Sequence, residues 1–193
     1  MNLEARLERI SNDGITGLTV DKVLSYGNIN WDNETMMQKL QTAVHSDWVK
    51  KHYHNMVDGY LGRFVKNRLS RSAKYAINKK PDAYLLMDLP DNVLASVIKL
   101  ELKDPKTNLH KQYNILAYNR AHKTRIALHP IDRFYVPLHE FVHLAGEHSE
   151  AGTEGLLKDA FNSAKNYLGG GLKKLANNLA QYAQQRQLAQ ATK

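Results

Sequence analysis

Apolar residues change their spacing once along this chain, and that change limits the fold more than any other feature. Up to about residue 64 they recur in steps of three and four: Met37, Leu40, Val44 and Trp48, then Met56, Tyr60 and Phe64. Such steps fill one face of a helix, or of two consecutive helices. Asn33 can cap the first turn. Gly59 and Gly62 weaken the middle, so a kink or break is expected there, and Pro81 is expected to end the helical stretch. The first thirty residues read as short helical pieces, broken at Asn12-Asp13-Gly14 and Gly27-Asn28. From Ser96 the spacing becomes two: Ser96-Val97-Ile98-Lys99-Leu100-Glu101-Leu102 alternates like a half-buried strand. Turn residues follow at 104–108. Residues 113–118 and 124–128 then read as two further strands, joined by a polar turn at 119–123. Three strands in short succession predict an antiparallel meander. The expected fold class is therefore α+β, with helices first, then a three-stranded antiparallel meander, then helices again.

A chain of 193 residues suits one well-cored domain. No apolar run approaches the roughly 20 residues of a membrane helix. Met1-Asn2-Leu3-Glu4-Ala5-Arg6 has no basic stretch followed by an apolar one, so a Sec-type signal is not expected. A cytoplasmic location is the expectation, and export by another route or packaging in a virion is compatible with it. There is no cysteine. Any metal site must therefore be built from His, Asp and Glu.

The net charge of +8 is concentrated. Residues 50–80 hold nine cations (Lys50, Lys51, Arg63, Lys66, Arg68, Arg71, Lys74, Lys79 and Lys80) against the single acid Asp58, which equals the whole excess. A field of this kind attracts nucleic acid, an anionic membrane or an acidic protein partner, although a solvated helix face is the plainer account.

The chemistry is concentrated at His139-Glu140-Phe141-Val142-His143. Two histidines four apart on a helix lie one turn above each other and can grip one ion. Glu140 beside them can reach a metal-bound water, take its proton as it attacks a carbonyl, and pass that proton to the leaving amine. Pro137 fits the first position of a helix and Gly146 its C-terminal cap. Together they frame a helix of about ten residues, roughly 14 Å long. Thr153 is the expected N-cap of the next helix, running through Leu168. Gly169-Gly170-Gly171 is the expected hinge before a last helical segment with Leu172, Leu175 and Leu179 on one face.

Residues 124–146 resemble the zincin metallopeptidases, in which an edge strand precedes an active-site helix bearing H-E-x-x-H. The resemblance covers this motif and the order of elements around it. It implies zinc as cofactor, His139 and His143 as ligands, Glu140 as the general base, and an extended substrate along residues 124–128. The metzincin pattern continues H-x-x-G-x-x-H, but Ser149 stands where its third histidine would be, and His148 comes one residue early. The gluzincin pattern takes a carboxylate from the following helix, where Glu154 is the candidate. Glu150 in the loop and Asp159 a turn further on are others. Glu154 is preferred over His148, with both left open, so the likeness leans to gluzincins over metzincins and the subfamily is unassigned.

The resulting expectation is a single domain over residues 1–193. A helical basic region occupies 1–82, a zincin-like catalytic core 83–168, and a C-terminal helix and tail 169–193. Its function would be that of a zinc metalloprotease hydrolysing a peptide bond in a protein or peptide substrate. The rival is a binding protein that uses the basic segment 50–80 on nucleic acid or an acidic partner, with the H-E-x-x-H helix structural or vestigial. Other histidines carry less weight: His45, His52 and His54 fall on the long helical pattern without a companion acid in metal-binding array. Tyr135 and Tyr167 have phenols that could meet an oxyanion, though core packing is the simpler role for each.

Overall fold

A computed structural model describes residues 28–29, 43–103 and 110–191. The fold is α+β. The chain forms two compact units: one holds the described residues of 1–50 and 80–123, the other those of 51–79 and 124–193.

The first unit is built on a mixed sheet. Its strands are β1 (Asn28–Ile29), β2 (Val44–His45), β3 (Ala83–Met87), β4 (Ala95–Lys103) and β5 (His110–Asn119), in the order β1-β4-β5-β3-β2. β4 and β5 form the expected antiparallel pair, with Ile98 opposite Ile115. The other neighbour of β5 is β3, which runs parallel to it with Leu85 opposite Ala117. The two-residue strands β1 and β2 lie antiparallel at the edges. The antiparallel meander of three successive strands is thus replaced by a mixed sheet. Ala83-Tyr84-Leu85-Leu86-Met87 gave no period-two signal because four of its five residues are buried, as in parallel strands covered on both faces.

Residues 124–128, expected as the third strand, are helical: they belong to α3 (Lys123–Leu128). The cause lies at Asn119. Its buried amide donates to the carbonyl oxygens of Leu89, Pro90 and Val93, at 3.1, 3.1 and 2.8 Å. Its Oδ1 accepts from the Ala121 N–H at 3.1 Å. That cap starts a 3-10 turn at Arg120–His122, which runs directly into α3. An extended substrate therefore has no edge strand to line at 124–128.

The long helical pattern resolves into α1 (Asp47–Val57) and α2 (Tyr60–Ser70), and His45 lies in β2 rather than on a helix. Its expected start after Asn33 lies outside the described residues. The break falls at the glycines, as expected. A Cβ on Gly62 would stand 2.0 Å from the Val57 carbonyl oxygen, so the close turn between the helices needs glycine there. α2 ends eleven residues before Pro81, where the Ser72 N–H turns back to the Leu69 carbonyl.

The second unit is helical. To α2 and α3 it adds α4 (Asp132–Ala145), α5 (Glu150–Tyr167) and α6 (Gly170–Ala191). α4 is apolar almost all round, with eleven of its fourteen residues buried, so it is the unit's central helix rather than a surface one. It starts five residues before Pro137, which is interior. Asp132 sets that start: its carboxylate sits in the first turn, where the helix dipole favours it, and accepts from Arg125 Nε at 2.6 Å. Gly146 closes α4 at φ 121°, as expected, a backbone conformation that favours glycine. α5 starts at Glu150, not after Thr153. Ser149 is its N-cap, with Oγ accepting from the Gly152 N–H at 3.1 Å, while Thr153 is fully buried inside the helix. α6 does not grade into a tail after Leu179 but continues helical through Ala191.

Candidate metal centre

His139, His143 and the side chains around them belong to the second unit. His139 and His143 project one turn apart from α4, with ring centroids 4.6 Å apart. Neither His139 (7% exposed) nor Glu140 (5%) lies on the surface. His143 is half-buried, and burying imidazoles is costly unless their nitrogens are satisfied.

The nitrogens are satisfied in an ordered way. His139 Nε2 lies 3.1 Å from Oε2 of Glu150, an exposed residue at the start of α5, and His143 Nε2 lies 3.3 Å from Glu150 Oε1. One carboxylate thus faces both rings. At the other ring nitrogen, His139 Nδ1 lies 3.3 Å from Oε1 of the buried Glu140. His143 Nδ1 lies 2.7 Å from the Glu147 carbonyl oxygen. An imidazole whose Nδ1–H is taken by an acceptor offers Nε2 as its free lone pair, which is how ligating histidines are held. Among the described residues, the ligand atoms of His139, His143 and Glu150 form a group lying within 4.8 Å of one another.

Glu150 owes its place to the Ser149 cap. Starting α5 one turn earlier than expected moves Glu150 from a loop into the first helical position. Glu147 fixes that corner in turn. Its Oε2 accepts from Lys74 Nζ at 2.9 Å and from the Tyr75 hydroxyl at 2.8 Å, and its Oε1 from the Ser149 hydroxyl at 2.8 Å. The Ala76 N–H bonds the Ala145 carbonyl at 2.9 Å, tying the same stretch to the end of α4.

The two third-ligand candidates from the sequence stand differently. Glu154 is fully buried, with Oε1 3.5 Å from His139 Nε2, but the same oxygen accepts from Arg186 Nε at 2.6 Å. Its other oxygen is buried and has no hydrogen-bond partner among the described residues. His148 is exposed in the turn before α5 and is not part of the group. Asp159 pairs with Arg68 at 3.1 Å. Tyr135 is buried with its ring 5.7 Å from His139 and 4.7 Å from Tyr182, edge to face. Tyr167 is 78% exposed at the end of α5. His52 is buried and held down to about 4 by that burial and by Arg133.

The charges in the group are strongly coupled. Burial alone lowers the His139 pKa, yet hydrogen bonds to Glu140 and Glu150 outweigh it and push it up to about 9. His143 is likewise raised, since Glu150 overcomes its burial. The two histidines hold the Glu150 carboxyl far below the usual carboxylate range. Each of these shifts favours the charged form of its group, as expected where imidazoles and a carboxylate attract one another.

Sequence reading missed Arg186, Lys74, Tyr75 and the Glu147 carbonyl. Arg186 lies 32 residues beyond Glu154, and no local pattern ties the two together. Ser149 was legible as a helix cap, and choosing it over Thr153 would have brought Glu150 forward. Compared with protein-family models, with curated proteins and with solved structures, the chain matches none.

Proposed function

We propose that the chain is a zinc-dependent peptidase, with His139, His143 and Glu150 holding the metal and Glu140 acting as the general base. The observation that carries the reading is the arrangement of the two imidazoles. Both Nε2 atoms face one carboxylate, and the Glu147 carbonyl oxygen holds His143 Nδ1 on the far side of its ring. Two imidazoles and a carboxylate form a donor set of the kind found at hydrolytic zinc sites, which keep a further position open.

Zinc bound there would polarise a scissile carbonyl and lower the pKa of water towards neutrality. The remaining work falls to the chain's own side chains. Glu140, adjacent to the first ligand on α4, takes a proton as water attacks the carbonyl and returns it to the leaving amine. The Glu147 carbonyl fixes the tautomer of His143 and so keeps its Nε2 unprotonated when a metal is bound. Glu154 adds a second carboxylate beside His139, with its charge offset by Arg186. The substrate is a protein or peptide.

A mixture of peptides of varied sequence provides the test. Cleavage products should appear with the zinc-loaded protein, vanish on addition of a chelator and return with added zinc. A zinc-loaded protein that cleaves none of them would refute the peptidase assignment and leave a metal-binding domain.

A further inference from the structure

Elsewhere in the second unit, α2 and α5 border a cleft of about 680 Å³ that shares no residue with the metal centre. Its aromatic end is formed by Phe64 and Tyr167, whose rings stack at 6.0 Å with 29° between their planes. Stacking does not bury Tyr167, which stays 78% exposed. Beside the rings the cleft offers the amides of Asn67 and Asn162, the Ser163 hydroxyl and the exposed guanidinium of Arg71. The Arg68–Asp159 ion pair ties the two helices together at 3.1 Å, so Arg68 is already compensated. Arg71 has no ion pair among the described residues.

The pattern continues along α2. Tyr60 is 67% exposed, and the Arg63 guanidinium lies 5.7 Å from its ring centre. α2 carries no acid at all. An exposed ring thus lies beside a guanidinium at Tyr60 and Arg63, and a second exposed ring, Tyr167, shares the cleft with Arg71. Exposed aromatic surface gains nothing from water, whereas a flat ring backed by a second ring or a cation is a platform for another π face. A guanidinium matches phosphate oxygens two at a time.

We propose that this face binds single-stranded nucleic acid, with bases stacked on Tyr167 and Tyr60 and phosphates held by Arg71 and Arg63. Every base has a π face, so such stacking tolerates sequence. The amides and the hydroxyl supply hydrogen bonds to sugars and base edges. A duplex hides its base faces and cannot use the rings. An acidic polypeptide would satisfy the arginines and leave the rings idle. The site is independent of the metal reading, so His143→Ala should bind a strand as wild type does even if no zinc or peptidase activity is ever found.

Fluorescence anisotropy of the full chain with a labelled, mixed-sequence DNA strand of about 20 nucleotides tests this, since such a strand spans several stacking positions. Affinity should fall steeply as salt rises from about 50 to 200 mM. Tyr167→Ala, an exposed position, should weaken binding roughly 5- to 150-fold, and Tyr167→Phe should restore it because the ring returns. Arg71→Ala should reduce the slope of log affinity against log salt by about 1. The proposal is overturned if the strand does not bind, or if duplex binds as tightly. It is also overturned if polyglutamate competes as well as unlabelled strand, or if Tyr167→Ala has no effect.

Discussion

Glu140→Gln is expected to lower turnover by roughly 10²- to 10⁴-fold, the usual worth of a positioned proton acceptor, while the protein keeps its zinc. The substitution preserves shape and removes only the charge and the basicity. Glu140 is not one of the atoms of the His139–His143–Glu150 group, so its loss takes no ligand away. Its Oε1 does lie 3.3 Å from His139 Nδ1, which makes a competing outcome concrete. A carboxylate whose work is to orient a ligating histidine costs about 10- to 100-fold in metal affinity when removed. If zinc affinity falls by that much and turnover recovers at saturating zinc, Glu140 positions His139 and the proton acceptor is another group. Single-turnover rates at saturating zinc, set beside zinc affinities from competition with a chelating dye, separate the two.

The second large effect belongs to stability. Arg186→Ala removes the partner of a fully buried carboxylate, Glu154, whose second oxygen is already without one among the described residues. Breaking a buried pair by removing one member costs about 3–5 kcal/mol. The Arg186 side chain is 37% exposed, so the low end of that range, about 3 kcal/mol, is expected. Burial raises the Glu154 pKa even with Arg186 present, the guanidinium opposing it. In the variant that opposition is gone. A carboxyl whose folded pKa exceeds its unfolded value binds more protons when folded, so stability falls as pH rises from the unfolded value through the folded one. The cost of Arg186→Ala should therefore be larger at pH 8 than at pH 5. Urea unfolding at the two pH values measures it, and an equal cost at both would mean that Glu154 is not the group left uncompensated. Adding Glu154→Gln to the variant should recover much of the loss.

Part of the fold and of the metal group was legible in the sequence. The α+β class, the strand from Ser96, the break at Gly59, the cap at Gly146 and the helical setting of His139 and His143 follow from local spacing and single-residue geometry. Local spacing did not yield β3, because a strand covered on both faces loses its alternation. It misassigned residues 124–128 because the helical turn there is started by Asn119, whose amide is anchored 26 to 30 residues back, at Val93, Pro90 and Leu89. It placed the start of α4 at Pro137 because proline is a stronger local signal than Asp132, whose stabilising partner Arg125 lies seven residues away.

The metal group divides along the same line. The histidine pair is a property of one helix and can be read from spacing alone. The carboxylate facing it depends on which residue caps the next helix. Ser149 and Thr153 are both good caps, and Ser149 is the one bound to the Glu147 carboxylate. Arg186 enters from α6, through a contact that only the folded chain creates. Features that need one element are therefore legible, and those that need two or three elements to meet are not.

Equilibrium dialysis of the purified, metal-stripped protein against zinc decides whether His139, His143 and Glu150 hold a metal. Close to one zinc per chain should bind, His143→Ala and Glu150→Ala should each release it, and His148→Ala should retain it. A wild-type protein that takes up no zinc, or one whose uptake is unchanged by His143→Ala, would contradict the metal centre and the peptidase built on it.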